Sequence, residues 1–344
     1  MIADLAYFLG LNILPTKDNK NAKLLEKTKL KKEKLIMSVS FDKLTILSLN
    51  IWNGGSNKSQ LIAASHSKSN KEVAVQPQDL EQVFKYIAEL IYWKEADVVA
   101  LQEVDKACKR TFTTYAPQRI AAYLNKRLQY NHPSQRWSHY FVQARKNGSG
   151  SFGNAILTKL KVKRIRRYSL EKDPSVERKN HEINREERAA ICIRVSLNVK
   201  GKATGLWVIN THLGLAKYDQ SHQINNLVKI INGEAQYLEK NSRKSIFSDA
   251  DAAMIICGDF NIEDGTEQYA ELLNTLNNSK RTDFRDLGPR KLGTFQDKKI
   301  DYVFCSDPKG YLGHHIKARV ISSEGYSDHQ ALKITFSFKN PIAN

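Results

Sequence analysis

Five segments of the chain share one pattern, in which a run of apolar, strand-forming residues ends abruptly in polar residues. A single asparagine or histidine at the end of a strand is usually a turn residue or a satisfied polar group. A buried strand, however, also holds a polar side chain rigidly enough for chemistry. Five occurrences in one chain favour this second interpretation. The segments are TILSLN (45–50), VVALQE (98–103), WVINTH (207–212), IICGDFN (255–261), and the pair KKIDYVF (298–304) with GYSDHQAL (325–332).

From about residue 41 onward, strand-like and helix-like segments alternate without a long linker. This alternation predicts one domain over residues 41–340, preceded by a lysine-rich tail with an apolar start over residues 1–40. Apolar residues at helical spacing predict helices over 80–91 and 224–238, the first with Asp79 as its N-cap. GSGSFG at 148–153 lacks the lysine of a phosphate loop and predicts a hairpin turn. The predicted strands are Leu44–Leu49, Asp97–Leu101, Phe152–Leu157, Ala189–Leu197, Leu206–Asn210, Ala253–Cys257, Ile300–Cys305, Ile316–Ile321 and Ala331–Phe338.

The formal net charge of +18 is the feature of the composition that bears most on function. Residues 1–40 hold eight lysines and four acidic residues, so most of the excess lies in the rest of the chain. A positive field attracts nucleic acid or anionic lipid headgroups, although a solvated lysine-rich surface gives the same composition. We therefore expect a polyanionic substrate, nucleic acid first and an anionic membrane surface second, and the sequence indicates no obligate protein partner.

Several other classes of protein are disfavoured. No apolar run approaches the roughly 20 residues that a membrane-spanning helix needs. The opening MIADLAYFLGLNILP contains Asp4 and lacks the basic region and cleavage site of a secretory signal, so a docking helix fits it better. Cys108, Cys192, Cys257 and Cys305 have no zinc-ligand spacing, and the last three lie in apolar runs. Such thiols are typical of a cytoplasm-type redox environment, while the compartment itself stays open.

The polar residues at the strand ends form a chemically consistent set. Glu103, Asp259 and Asp328, with the amides of Asn50 and Asn261, supply hard oxygen ligands. These ligands suit Mg²⁺ or Mn²⁺ rather than zinc. An ion of this kind stabilises charge on a phosphoryl oxygen and on a leaving oxygen.

A histidine base completes the set. His329 follows Asp328 directly and can take a proton from water, while Asp301 is the natural carboxylate to orient its ring. Such a pairing fixes the tautomer and keeps the base poised near neutral pH.

The order of these motifs resembles the endonuclease/exonuclease/phosphatase superfamily, which includes deoxyribonucleases, abasic-site endonucleases, neutral sphingomyelinases, inositol polyphosphate 5-phosphatases and deadenylases. The resemblance covers roughly residues 44–338, and all six motifs occur in the family's order. They are Asn50, Gln102-Glu103, Thr211-His212-Leu213, Gly258-Asp259-Phe260-Asn261, Ile300-Asp301-Tyr302 and Ser327-Asp328-His329.

The resemblance implies an α/β fold, a four-layer sandwich of two mostly antiparallel β-sheets flanked by helices, with a metal-dependent phosphoesterase site at the strand ends. It implies that Glu103 is the principal metal ligand, assisted by Asn50 and Asp328. It also implies the roles of the remaining residues: Asp259 orients or activates the attacking water, Asn261 holds a phosphate oxygen, His329 and Asp301 form the catalytic pair, and His212 contacts the phosphate.

Within the superfamily, two branches fit poorly. Trp52 stands where abasic endonucleases usually carry an acid, and Lys299-Ile-Asp-Tyr302 departs from the Trp-x-Asp-Arg of the 5-phosphatases. His212 is similar to the deoxyribonuclease and sphingomyelinase branches. The implied activity is a Mg²⁺- or Mn²⁺-dependent phosphodiesterase, nuclease-like in the first interpretation. A phospholipid phosphodiesterase or phosphatase is the alternative, and a non-catalytic binding protein with the same fold is the second alternative.

Three further features bear on the substrate. Arg188 matches an arginine of a bacterial group in the superfamily and is either a phosphate contact or a solvated arginine at a strand edge. The polar segment 54–77 follows Asn50 and is expected beside the site. Residues 159–167 hold six basic residues in nine positions, four of them on one face if the segment is a strand. That face suits a nucleic-acid backbone and an anionic membrane almost equally.

Overall fold

Twelve strands and four helices make up the part of the chain that the computed structural model describes. The predicted tail over residues 1–40 lies outside that part, as does most of the polar segment 54–77. The described residues are 42–55, 77–131, 135–176, 185–199, 202–236, 238, 252–290, 292–313 and 315–338.

The elements follow one another with short connections in most places. The strands are β1 Lys43–Asn50, β2 Val98–Lys106, β3 Ser138–Asn147, β4 Gly150–Thr158, β5 Val162–Leu170, β6 Arg188–Val199, β7 Lys202–His212, β8 Ala253–Asp259, β9 Arg285–Asp286, β10 Asp301–Ser306, β11 His315–Ile321 and β12 Ala331–Ser337. The helices are α1 Pro77–Trp93, α2 Ala116–Asn131, α3 Lys217–Ile231 and α4 Glu267–Asn277.

The strands form two six-stranded sheets that are built on the same plan. Sheet A has the order β11-β12-β1-β2-β4-β3, and sheet B has the order β5-β6-β7-β8-β10-β9. Each sheet has one central parallel pair, β1 with β2 in sheet A and β7 with β8 in sheet B. The remaining neighbours in both sheets are antiparallel. A helix connects each parallel pair, α1 in the first case and α3 in the second, as parallel strands require.

The sheets pack face to face, and the helices cover their outer sides. One apolar cluster lies between the sheets and includes Ile46 and Ile255. A second joins sheet A to α1 and α2, and a third joins sheet B to α3 and α4. Strands buried on both faces read as continuous apolar runs, which is why β1 and β8 show no alternation. The four-layer sandwich expected from the sequence is therefore confirmed.

All nine predicted strands are present, and the glycine-rich segment forms the β3–β4 hairpin, with Asn147 paired to Gly150. The sequence patterns did not predict β3, β5, β9, α2 and α4. They also misplaced two helix ends. The first helix begins at Pro77, so Asp79 lies within its first turn instead of capping it, because proline suits the first helical position. The second helix ends at Ile231, before Gly233, and not at Leu238. Among the described residues, no helix is both long and apolar enough to cross a membrane.

Candidate active site

The C-terminal ends of the two parallel strand pairs meet at one edge of the sandwich. Asn50 ends β1, while His212 and Asp259 end β7 and β8 side by side in parallel register. Asn50 Nδ2 donates a hydrogen bond to Asp259 Oδ2 at 3.0 Å and another to Glu103 Oε1 at 3.1 Å. One buried amide therefore joins the carboxylates of the two sheets.

Glu103 reaches the site through a β-bulge. Leu101 pairs with Ala155 and Val104 with Gly153, so two residues of β2 lie opposite one residue of β4. Glu103 has a φ of 54°, which is uncommon for a residue with a side chain. Bulges next to active sites re-aim a side chain out of the regular alternation. The local distortion thus directs the Glu103 carboxylate to the edge where Asn50 lies.

The end of β8 shows why the strand finishes in Gly-Asp-Phe-Asn. A Cβ on Gly258 would lie 2.1 Å from the carbonyl oxygen of Thr211, so glycine is needed for this close approach to β7. Asp259 Oδ1 accepts a hydrogen bond from the backbone N–H of Asn261 at 3.0 Å and closes a turn. Asn261 has a φ of 51°, which asparagine tolerates better than most residues. The turn aims both polar side chains at the site.

Asp301 and His329 form the expected pair. Asp301 begins β10 opposite Asp259, and its Oδ2 lies 2.8 Å from Nδ1 of His329. The loop that carries His329 is tied to β1, because Ser327 Oγ donates to the backbone carbonyl of Asn50 at 2.6 Å. The ring of Phe295 lies against the imidazole, with the ring centroids 4.8 Å apart. These contacts hold the Nε2 atom of His329 toward Asp259 Oδ2, at 3.6 Å.

The electrostatics of this group differ from the sequence expectation of a histidine base near neutral pH. Burial lowers the pKa of His329, but the charge and hydrogen bond of Asp301, with Asp259 and Asp328, outweigh it and raise the pKa to about 9. Burial and the charge of Asp301 raise the pKa of Asp259 to about 7. At neutral pH the imidazole therefore carries its proton, and the carboxylate next to it has the affinity of a proton acceptor.

His212 and Arg188 line the sheet B side of the same site. Arg188 Nη1 lies 3.3 Å from His212 Nδ1, and a guanidinium can only donate, so this contact is a hydrogen bond in the tautomer whose Nδ1 carries no proton. Burial lowers the pKa of His212 well below its ordinary value, with the Arg188 charge acting in the same direction. Asn261 Nδ2 lies 3.1 Å from His212 Nε2. Arg188 is only 5% exposed, so it is not the solvated strand-edge arginine that the sequence left open.

The residues on the sheet A side fit a divalent cation. Glu103 accepts hydrogen bonds from the amides of Asn50 and Asn53 and forms no ion pair with a described residue. Burial raises its pKa, and the charge of Asp328 raises it further, so the two carboxylates lie close enough to repel. A cation between them would remove that repulsion. These oxygen donors are the kind that Mg²⁺ and Mn²⁺ take.

A second acidic group lies deeper in the site. Ligand atoms of Asp259, Asp301 and His329 lie within 4.8 Å of one another. The Asp301–His329 contact has the length of a hydrogen bond, so a proton already holds this pair together. Asp301 Oδ1 is buried and has no hydrogen-bond partner among the described residues. The group can therefore accept one more proton or cation without losing the Asp301–His329 bond.

Two polar residues beneath the site were not predicted as functional. Asn210 of β7 donates to the backbone carbonyls of Leu101 and Ala155, each at 2.8 Å, which places its amide across the gap between the sheets. Gln102 Nε2 returns a 2.7 Å hydrogen bond to Asn210 Oδ1. Asn210 and Gln102 occur in the WVINTH and VVALQE segments, where only His212 and Glu103 were predicted as site residues. They fix the separation of the two halves of the site.

A third group, at the rim, was also missed. Arg110 makes a paired contact with Asp105, at 2.7 and 2.8 Å, and donates to Asn53 Oδ1 at 2.6 Å. Asn53 Nδ2 in turn lies 3.4 Å from Glu103 Oε2. No pattern in the sequence marks Arg110, because its position follows from the bulged path of β2. The chain of contacts supports Glu103 from the solvent side.

The predicted basic stripe at 159–167 does not form one face. Lys159 precedes β5 and pairs with Asp97 at 3.0 Å. Arg167 donates from Nε to the backbone carbonyl of Phe141 at 2.6 Å, so it points toward sheet A. Lys161 and Lys163 are exposed. Two of the four side chains are thus engaged within the protein, which removes the stripe as a continuous binding surface.

Comparison with solved structures agrees with this architecture. An endonuclease/exonuclease/phosphatase family protein from Leptotrichia buccalis superposes with a TM-score of 0.55 at 18% identity, covering 85% of this chain and 98% of that one. The Beutenbergia cavernae endonuclease/exonuclease/phosphatase gives 0.55 at 17%, with 86% and 72% covered. The human Nocturnin catalytic domain, solved with bound sulfate, gives 0.54 at 18%, with 88% and 95% covered. At these identities the likeness shows a shared fold.

Comparison at the level of sequence identifies the family. No curated protein matches the chain. The model of the Endonuclease/Exonuclease/phosphatase family matches residues 47–329, a span that contains the site residues from Asn50 to His329. The chain therefore belongs to the endonuclease/exonuclease/phosphatase family.

Proposed function

We propose that this protein is a Mg²⁺- or Mn²⁺-dependent phosphodiesterase that hydrolyses nucleic acid. Members of its family are generally hydrolases of phosphate esters and generally depend on a divalent metal. The observation that carries the proposal is the single amide of Asn50, which joins Glu103 of sheet A to Asp259 of sheet B. It places a carboxylate suited to a metal next to a buried proton-transfer group, as phosphate ester hydrolysis requires.

The proposal assigns the metal to Glu103, Asn50 and Asp328. When bound, the ion supplies positive charge to a phosphoryl oxygen and to the leaving oxygen. Asn50 Oδ1 accepts a hydrogen bond from the backbone N–H of Trp52 at 3.0 Å, which orients the amide and leaves its second lone pair for the ion.

The proton transfer is assigned to Asp259 of sheet B and to His329, which lies beside it. Asp259 takes the proton from the attacking water, since its pKa is raised to about 7 and it lies at the base of the site. His329, kept protonated by Asp301, donates from Nε2 to a non-bridging phosphate oxygen. The charge of His329, 3.6 Å from Asp259 Oδ2, acts on the carboxylate before the proton is taken. Asp259 then releases the accepted proton to solvent, and the leaving oxygen takes a proton from water.

The remaining residues position the phosphate. The neutral imidazole of His212 and the amide of Asn261 contact the phosphate, and they hold an anion without adding charge. Arg188 adds positive charge from behind His212. Nucleic acid is the proposed substrate because the chain carries a net charge of +18, which a polyanion engages at many points.

A phospholipid substrate is the second candidate, and one observation favours it. Leu215, three residues after His212, is 54% exposed, and Phe112 on the loop that follows β2 is 37% exposed. Exposed apolar side chains on loops beside an active site suit insertion among lipid headgroups. The two candidates differ in the salt dependence of binding, which is steep for a polyanion.

Two assays test the proposal. Hydrolysis of a bis-aryl phosphodiester is measured with Mg²⁺, with Mn²⁺ and with chelator; activity that survives chelation contradicts the metal assignment, and no activity under any condition favours a binding protein. Single- and double-stranded DNA, RNA, sphingomyelin vesicles and phosphoinositide vesicles are then compared at two salt concentrations. Cleavage confined to vesicles overturns the nucleic-acid assignment.

A further inference from the structure

Sheet A carries a row of cations on the outer side of its β11–β12 edge. The even-numbered residues of these strands, such as Ile334 and Ile316, face the core between the sheets. The odd-numbered residues therefore face outward, since side chains alternate along a strand. They include Lys317 and Arg319 of β11 and Lys333 of β12, which we call the cationic face.

The described helices do not cover this face. The apolar cluster beneath α1 and α2 takes in β1, β2 and β4, but from β11 and β12 it includes only Ala331 and Ile321, at the end nearest the site. Lys317 and Arg319 are exposed, and Lys333 is partly exposed. The outer side of β11 and β12 is thus polar over most of its length.

Two cations of the face lie directly opposite each other, and the third, Lys317, lies opposite Thr335. Arg319 is the direct cross-strand partner of Lys333, and like charges in that position destabilise a sheet. Glu95, an acid whose charge acts on Lys333, is already paired with Lys43 of β1. Burial lowers the pKa of Lys333, and Lys43, Lys94 and Arg319 act in the same direction against Glu95. An external anion would relieve this repulsion.

We propose that the cationic face binds the sugar–phosphate backbone of the nucleic acid that the site cleaves, a step that rests on the proposed substrate. Lys317 and Arg319 lie two residues apart, about 6.6 Å along the strand, and Lys333 lies about 4.8 Å to the side. Such a flat array contacts successive phosphates of an extended polyanion. A single lipid headgroup or a free phosphate can engage only part of it.

The position of the face supports a path from the site. β12 begins two residues after His329, and Lys333 is four residues beyond that histidine, about 13 Å along an extended chain. Arg319 lies beside Lys333 in register, and Lys317 is farther from the site. A strand whose scissile phosphate sits at His329 can therefore continue along β12 toward the opposite end of sheet A.

The test compares two charge-matched triple variants for binding of a single-stranded DNA of about 30 nucleotides, in chelator so that no cleavage occurs. One variant is Lys317→Gln/Arg319→Gln/Lys333→Gln. The control is Lys85→Gln/Lys126→Gln/Lys229→Gln, which removes the same charge from exposed positions on α1, α2 and α3. We expect the first variant to bind at least tenfold more weakly and the slope of log K against log salt to fall by about 2, or roughly 0.7 per lost phosphate contact.

The outcomes separate this proposal from the proposed function. Equal losses of DNA affinity in the two variants would show that binding depends on overall charge, and they would overturn the proposal. Binding to vesicles of anionic lipid is measured in parallel, and a loss confined to the vesicles would also overturn it. Hydrolysis of the bis-aryl phosphodiester should be unchanged in both variants, because that substrate is too small to reach the face. If the wild-type protein lacks that hydrolysis, the proposed function fails, whatever the binding results. A melting temperature close to wild type excludes misfolding, and Lys317→Gln/Arg319→Gln, at exposed positions only, repeats the test if the triple variant unfolds.

Discussion

The two halves of the molecule use the same arrangement of strands for different chemical environments. β1-α1-β2 and β7-α3-β8 are both parallel pairs joined by a helix, and each ends in polar residues at the same edge. Asp259 ends its pair fully within the fold at 1% exposure, whereas Glu103 is half-buried on a bulge. The fold determines where each carboxylate lies, and a one-residue bulge determines how far it is exposed to solvent.

The largest effect on rate is expected from His329, which lies beside the buried carboxylate of Asp259. His329→Ala removes the proton held beside Asp259, and we expect kcat to fall by roughly 10²–10⁴-fold, the usual scale for acid–base groups. The assay is metal-saturated hydrolysis of the bis-aryl phosphodiester, with circular dichroism as the check on folding. Normal turnover in a folded variant would remove His329 from the chemistry.

Glu103, the half-buried carboxylate, should instead control metal affinity. Glu103→Gln keeps the shape but removes the charge of the proposed principal ligand, so we expect the metal concentration for half-maximal activity to rise by about 10–100-fold. His329→Ala is the matched comparison, because its metal titration should shift far less than its kcat. An unchanged metal titration in Glu103→Gln would mean that Glu103 does not control metal affinity.

The contact between the halves can be tested through stability. Asn210→Leu removes three hydrogen bonds that cross between the sheets and leaves buried carbonyls without a donor. We expect the free energy of unfolding to fall by about 1–3 kcal/mol, measured by urea denaturation. Asn225→Leu, at an exposed position on α3, is the control and should change stability little. Equal effects would show that Asn210 does not link the sheets energetically.

The smallest effect concerns pH. Because the pKa of His329 is raised from 6.5 to about 9, its stabilising contribution is complete below pH 6.5 and is lost as the pH rises through 9. The metal-free protein should therefore lose stability across that window. In Asp301→Asn the carboxylate that raises this pKa is absent, and the loss should move to lower pH. If the free energy of unfolding of the wild-type protein, measured by urea denaturation in chelator, did not change across this pH range, the raised pKa of His329 would be contradicted.

The sequence predicted the buried strands of both halves better than their edge strands. The buried strands of both were evident, because residues packed on both faces leave continuous apolar runs. Asp259, Asp301 and His329 were found because each directly adjoins such a run. Edge strands such as β3 were missed, since one exposed face mixes polar residues into the pattern.

Contacts between distant segments were beyond what the sequence could show. Arg110 and Asn210 act through tertiary contacts, with Arg110 placed by the path of β2 and Asn210 lying across the gap between the sheets. The elevated pKa of His329 depends on three carboxylates that come together only in the fold, so adjacency to Asp328 alone could not reveal it. Site membership was therefore readable from the sequence, whereas protonation state was not.

The pairing of β1 with β12 has a consequence for how the protein is made. The hydroxyls of Thr45 and Thr335 are in contact although 290 residues separate them. At about 5–20 residues per second, a ribosome needs roughly 15–60 s to travel that distance. Throughout that interval one side of β1 has no strand to pair with, and exposed strand edges invite aggregation. Because His329 arrives with the same late segment, the contact between Asp301 and His329 also cannot form before that segment has been made.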